Sequence, residues 1–382
     1  MTDNDVFPDR TRRWRRRSVW FVQFLLSMAI IGYLVIQAER SGVFAQLATR
    51  EKHWGRLVVG GLVVATGIFG TFFRWYRLLR SQRLEVSWRA TLRFSAVGYI
   101  VNLAPLGIVG GDLLKAVLIA RHQRQQQAMA ITTVLIDRVI GLAALFYVIT
   151  FFAFLTHSVR LPIPIDEICQ FWAQRQSGSL ETIPGEILFQ FLIWVAILLT
   201  LLGTIAMALV LWPNWTGGRY LLRWLARLPK IGPQLDAMLR SFEAFGRTPL
   251  ILLESILLAM VFHCLFGFGA WCMASGLFTE IHATPVFILL FSLSNSSQVI
   301  PLPLGPTEFV LNLLCQWVPI VSSGTLAMKA GEGAIIAITY RAANIFTAVA
   351  MIPWWFLSRH EVRELSRRGP SDQRERISPT AR

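Results

Sequence analysis

The stretch Asn102-Leu-Ala-Pro105-Leu-Gly107-Ile-Val-Gly110-Gly111-Asp112-Leu-Leu-Lys115 decides how the rest of the chain is read. It interrupts an apolar region, 94–120, that is otherwise long enough to be a membrane span. Proline removes a backbone donor and clashes with the preceding turn, and glycine is a poor helix former, so the stretch predicts a broken helix. A second apolar region, 285–320, is notched in the same way by Pro301, Pro303, Gly305 and Pro306, with Glu308 just beyond the notch.

Outward from these two breaks lie six uninterrupted apolar segments, at 18–37, 57–73, 128–155, 187–212, 250–277 and 334–357. Each is long enough to cross a hydrocarbon core of about 30 Å. Composition agrees: 54% of the 382 residues are apolar and only 15% charged, against about a quarter charged in soluble domains. That excludes a disordered chain and an ordinary soluble enzyme. The net charge of +15 does not indicate nucleic acid, because the 37 Lys and Arg punctuate the apolar segments instead of gathering on one module. Segment 18–37 follows a basic run as a signal peptide does, but it is too long and lacks a small-residue cleavage site, so it is expected to remain as the first span. Cys169, Cys264, Cys272 and Cys315 have neither zinc nor disulfide spacing and read as packing residues.

The expected fold is an all-α polytopic membrane protein: six full transmembrane helices plus two re-entrant broken-helix segments, in inverted halves at about 18–155 and 187–357. The alternative is that each broken region is two ordinary helices, giving eight or more spans. With the N-terminus inside and both broken regions re-entrant, 28 of the 37 basic residues fall on the inner side, and Arg138 and Arg341 lie within spans. Positive residues accumulate in cytoplasmic loops. The expectation is therefore a multi-pass protein of the cell (inner) membrane with both termini cytoplasmic. A basic tail, 1–17, precedes the membrane domain, 18–357, and a disordered tail, 358–382, follows it. Segment 213–248 alternates apolar and basic residues, which suits either interfacial amphipathic helices or a solvated loop. Basic loops of this kind attract anionic lipid.

Ionisable groups within a bilayer cost several kcal/mol, so those that persist face a partner or a polar cavity. The candidates are Asp112, Lys115, Asp137, Arg138, Glu308 and Arg341, with Asn102 and Asn344 beside them. The halves echo each other: Pro105, Gly107, Asp112 and Arg138 in the first, Pro303, Gly305, Glu308 and Arg341 in the second. Backbone freed by Pro105, Gly107, Gly110, Gly111, Pro301, Pro303 and Gly305 belongs inside protein or beside water, where half-helix N-termini can seat a phosphate. Plainer readings exist for each group. Asp112 suits a helix N-cap or an i, i+3 pair with Lys115, and Glu308 with Arg341 suits a bridge that only fixes the fold. Asp137 and Arg138, adjacent on a helix, need different partners. Glu254 and His263 are weaker candidates. No catalytic, metal or cofactor motif is present.

At these residues the sequence resembles the transmembrane, flippase-like domain of the lysylphosphatidylglycerol synthase family. The matching stretches are the one quoted above, Ile136-Asp-Arg-Val-Ile-Gly-Leu142 and, less closely, Ile300-Pro-Leu-Pro-Leu-Gly-Pro-Thr-Glu308. The resemblance implies a protein that moves a phospholipid or lipid-linked headgroup between leaflets. In the best-understood members a soluble aminoacyl-transferase domain follows the membrane part. Here 25 residues follow the last apolar segment, so the resemblance implies a stand-alone translocator that is not itself an enzyme. A membrane-embedded transferase acting on a lipid carrier and a non-transporting cell-envelope assembly subunit are the competing expectations.

Overall fold

A computed structural model describes residues 9–103, 107–159, 185–211, 244–246, 248–278, 281, 283–300, 302, 304–318, 328–354 and 356. Pro105, Pro301, Pro303, most of segment 213–248 and the tail 358–382 lie outside the described residues. Eleven α-helices follow in order among those described: α1 (Asp9–Arg40), α2 (Val43–Thr49), α3 (Trp54–Ser81), α4 (Trp88–Leu103), α5 (Gly107–His122), α6 (Gln127–Leu155), α7 (Gly185–Leu211), α8 (Pro249–Leu277), α9 (Thr284–Ser296), α10 (Pro306–Trp317) and α11 (Glu332–Ala350). No strand is among them, and α1, α3, α6, α7, α8 and α11 contain apolar stretches long enough to cross a membrane. The protein is an all-α, multi-pass membrane protein. Its outer face fits a lipid solvent, with Phe21, Leu62, Phe151, Leu201, Leu253 and Phe346 all exposed.

The centre of the bundle is α3 packed against α8. The two run antiparallel: His53 donates its amide to the Gly276 carbonyl at one end, and Gln82 donates to Thr248 at the other. Small residues let the backbones approach, as in membrane helix pairs generally. A Cβ at Gly60 would lie 2.7 Å from the Gly269 carbonyl oxygen.

The two broken regions form helical hairpins. In the first, Phe94 stacks edge-on against His122 while Gly98 abuts Gly111 and Lys115, so α4 and α5 run antiparallel. At 16 residues each they extend about 24 Å, and α9 and α10, at 13 and 12 residues, about 20 Å, all short of a ~30 Å core. The first hairpin starts beyond the C-terminal end of α3. The second starts beyond the end of α8, which lies at the N-terminal end of α3. The hairpins therefore come into the bundle from opposite ends. The packing repeats as well: α5 lies on α6 as α10 lies on α11, and α3 touches α6 as α8 touches α11.

Four details differ from the sequence expectations. Gly107, Gly110 and Gly111 belong to α5 and not to the break. Gly111 is small because α4 crosses it: an added Cβ would lie 2.0 Å from the Gly98 carbonyl oxygen and 2.2 Å from Asn102 Oδ1. Gly111→Ala is accordingly expected to destabilise the protein by about 1–3 kcal/mol, the range for overpacking, read as a lowered melting temperature in detergent. α3 continues to Ser81, past residue 73 where the second apolar segment ends, so Arg74 is part of the spanning helix. The first helix begins at Asp9, within the expected basic tail, and the last is interrupted by a turn at Met351 before helical residues resume at 352–354.

Candidate functional site

Asp137 sits on the inner face of α6, buried, and takes two cations. Arg74 of α3 donates through Nε to Asp137 Oδ1 at 3.0 Å and through a terminal nitrogen to the Asp137 carbonyl at 3.1 Å. The Lys115 ammonium of α5 lies 3.7 Å from Asp137 Oδ2 and 3.7 Å from the centre of the Trp75 ring, a distance at which the ring quadrupole attracts a cation. Trp75 is fixed in turn by donating its indole N–H to Thr133 at 3.2 Å. Gly141, one turn after Asp137, lies beside the guanidinium, with an added Cβ in ordinary contact at 3.4 Å from an Arg74 nitrogen. His263 of α8 donates to the Gly141 carbonyl at 2.9 Å. Three helices, α3, α5 and α6, thus meet at one carboxylate, with α8 bonded to the backbone one turn away.

The neighbouring Arg138 points elsewhere and pairs with Asp112 of α5. Asp112 is not a helix N-cap, because α5 begins five residues earlier, at Gly107, and its ion-pair partner is Arg138 and not Lys115. The sequence spacing therefore resolves into crossed pairs: Asp112 and Lys115 lie one turn apart on α5, Arg138 and Asp137 are adjacent on α6, and each carboxylate takes a cation from the other helix. Asn102 accepts the Gly111 amide at 3.0 Å, tying the end of α4 to α5.

In the second half, Glu308 lies in the first turn of α10 with a side chain only 1% exposed. One oxygen accepts from Arg341 Nε of α11 at 2.5 Å, and the other accepts the Gly305 amide at 3.0 Å. Gly305 has φ +109°, a conformation that suits glycine, and Pro306 occupies the first turn, where its missing N–H costs nothing. The Gly305 amide at the start of α10 is therefore taken by its own carboxylate, and the Gly111 amide by Asn102, where open amides were expected. Asn344, one turn beyond Arg341, accepts from Tyr99 of α4 at 2.8 Å and donates to the Tyr340 carbonyl at 2.8 Å. That contact joins the first hairpin to the last helix.

Of the residues singled out from sequence, Asp112, Lys115, Asp137 and Arg138 come together in the first half, Glu308 and Arg341 in the second. Glu254 is placed apart, in a half-exposed pair with Arg77 at 2.7 Å. Arg74, Trp75, Thr133 and Tyr99 carry parts of the network that sequence reasoning did not assign. Among the described residues, no group of three or more His, Cys, Asp or Glu side chains is positioned to hold a metal ion.

No curated protein and no solved structure matches this chain. The sequence model of the lysylphosphatidylglycerol synthase TM region matches residues 11–352, which takes in every helix of the bundle and both charged networks. The chain belongs to the lysylphosphatidylglycerol synthase TM region family.

Proposed function

We propose that this protein translocates a phospholipid or lipid-linked headgroup between the leaflets of the cell membrane, with both termini cytoplasmic and without altering the lipid covalently. The observation that carries the reading is the placement of ion pairs within membrane-spanning helices beside both hairpins. In each half an acid on the hairpin's second helix is held by an arginine of the following helix, Asp112 by Arg138 and Glu308 by Arg341. A bundle needed only as an anchor has no use for such costly groups among lipid-facing helices.

The hairpins, too short to cross, act as re-entrant segments from opposite leaflets, the arrangement in which transporters place substrate sites near the midplane. Lys115, Arg138 and Arg341 offer positive charge to a phosphate, while Asp137, Asp112 and Glu308 respectively hold those cations until it arrives. Asn102 ties the two helices of the first hairpin together, and Asn344 ties that hairpin to α11 beside the path. Rocking of one half against the other about α3 and α8 would expose the site to each leaflet in turn. Lowering the cost of moving a charged headgroup through hydrocarbon is the whole task, so no nucleotide, metal or other cofactor is required of this chain.

The test is leaflet exchange of fluorescent phospholipids in liposomes holding the purified protein. Wild type is expected to exchange lipid faster than protein-free liposomes. Arg138→Gln and Arg341→Gln, if monodisperse in detergent, are expected to be slower by about tenfold or more, as loss of a charged hydrogen bond to phosphate implies. Equal rates for all three proteins, or a new covalent lipid product by mass spectrometry, would overturn the reading.

A further inference from the structure

Arg138 stands in the wrong place for a purely internal group. It lies eleven residues along α6, about 17 Å from its start and so well within the span. Ile131, Leu135 and Leu142 share its helical face, and all three are exposed as lipid-facing residues are. The Arg138 side chain is itself 45% exposed and that of Asp112 21% exposed, beside the exposed Leu113. An ion pair is thus set into an aliphatic stripe that otherwise faces lipid.

Directly behind it lies the buried layer. Lys115 is one turn from Asp112 on α5, and Asp137 is the neighbour of Arg138 on α6, so the same two helices supply an outer pair and an inner group. Together Arg74, Lys115 and Arg138 set three cations against the two carboxylates of Asp112 and Asp137. Among the described residues that leaves one positive charge in excess, and a charge in such a setting calls for a counter-ion. In the second half α10 lies against other helices along its length: Gly305 at its start touches Ile30 of α1, the Phe309 ring meets Tyr33 of α1 at a tilt, and Trp317 at its end meets Gly185 of α7.

We infer that the seam between α5 and α6 is a lateral portal for lipid bearing a net negative headgroup, whose phosphate takes Arg138 from Asp112 and passes inward toward Lys115. A second copy of this chain is disfavoured as occupant, since a two-fold contact centred on the stripe would set the surplus positive charge of one copy against that of the other. The inference rests on the translocator reading for its direction of travel, but the binding it describes is measured separately.

The experiment places the photo-crosslinking residue p-benzoylphenylalanine at Leu135, and in a second protein at Leu257. Leu257 lines an apolar groove of about 360 Å³ on the outer face of α8. Each full-length protein is reconstituted in vesicles of equal parts phosphatidylglycerol and phosphatidylcholine, illuminated, and the attached lipid identified by mass spectrometry. At Leu135 phosphatidylglycerol is expected to be enriched about fivefold, the effect of one cationic side chain on an anionic lipid, and Arg138→Gln should abolish the enrichment while Asp112→Asn retains it. At Leu257 the two lipids should appear in proportion to the bilayer. Bulk proportions at Leu135, enrichment that survives Arg138→Gln, or attachment to a second copy of the chain would each overturn the portal. Leaflet exchange measured on the same preparations separates the two ideas: exchange without enrichment removes the portal alone, and enrichment without exchange removes translocation alone.

Discussion

Asp137→Ala is expected to be the most damaging single substitution in the protein. The carboxylate accepts from Arg74 at 3.0 Å and faces Lys115 at 3.7 Å, and all three side chains are about nine-tenths buried. Removing it takes the counter-charge from two cations that are themselves about nine-tenths buried. Deleting one partner of a single buried pair already costs about 3–5 kcal/mol, and here one deletion leaves two charges uncompensated. Asp137→Ala is therefore expected to yield aggregated protein or one with a melting temperature far below wild type in detergent. Arg74→Met should be milder, because Lys115 still balances the carboxylate. The double variant Arg74→Met/Asp137→Leu should recover much of the loss, since a buried pair replaced by apolar groups of similar volume is often close to neutral. If Asp137→Ala melts within a degree or two of wild type, the network is not holding α3, α5 and α6 together.

Arg74 also explains where sequence reading stopped. Hydropathy ends the second crossing at residue 73, because an arginine lowers the average of any window that contains it. The buried positions do not end there. Val64, Ile68, Phe72, Trp75 and Leu79 recur three or four residues apart on one face of α3 and are all buried. That periodicity runs straight through Arg74, so a charge inside a continuing apolar stripe was the available signal for a buried cation. The carboxylate it meets, Asp137, is 63 residues away in the chain, and nothing local in the sequence specifies that pairing.

The helical class, the six long helices and both broken regions were legible because apolar length and proline–glycine breaks are local properties. The roles of the glycines were not. Gly111 looks like a helix breaker in sequence, yet it serves a crossing against Gly98 that exists only once the hairpin has folded. The crossed pairing of Asp112 with Arg138 and of Lys115 with Asp137 has the same origin. Spacing of i, i+3 on one helix permits the Asp112–Lys115 contact, but packing α5 on α6 offers each group a partner on the other helix. The Tyr99–Asn344 contact, across 245 residues, likewise depends on how the halves meet.

Glu308→Ala is expected to have the second largest effect, and its comparison with Glu308→Gln separates two roles of one side chain. Glu308 both neutralises Arg341 and accepts the Gly305 amide that opens α10. Alanine removes the counter-charge and the cap together; capping alone contributes about 1 kcal/mol, and the lost Glu308–Arg341 contact adds to it toward the 3–5 kcal/mol range of a broken buried pair. Arg341 is 27% exposed, which places the expected total near the lower end. Glutamine can keep the Gly305 contact through its carbonyl but offers Arg341 no charge, so its melting temperature should fall between those of alanine and wild type. Glu254→Gln provides the scale: Glu254 and Arg77 are 37% and 42% exposed, and an ion pair so open to its surroundings is worth at most about 1 kcal/mol. Thermal melts should then rank wild type and Glu254→Gln together, Glu308→Gln below them and Glu308→Ala lowest. Equal melting of Glu308→Ala and Glu254→Gln would mean that the second hairpin is held by its apolar contacts, with Tyr33, Phe309 and the α9 face sufficient to seat α10 without its carboxylate.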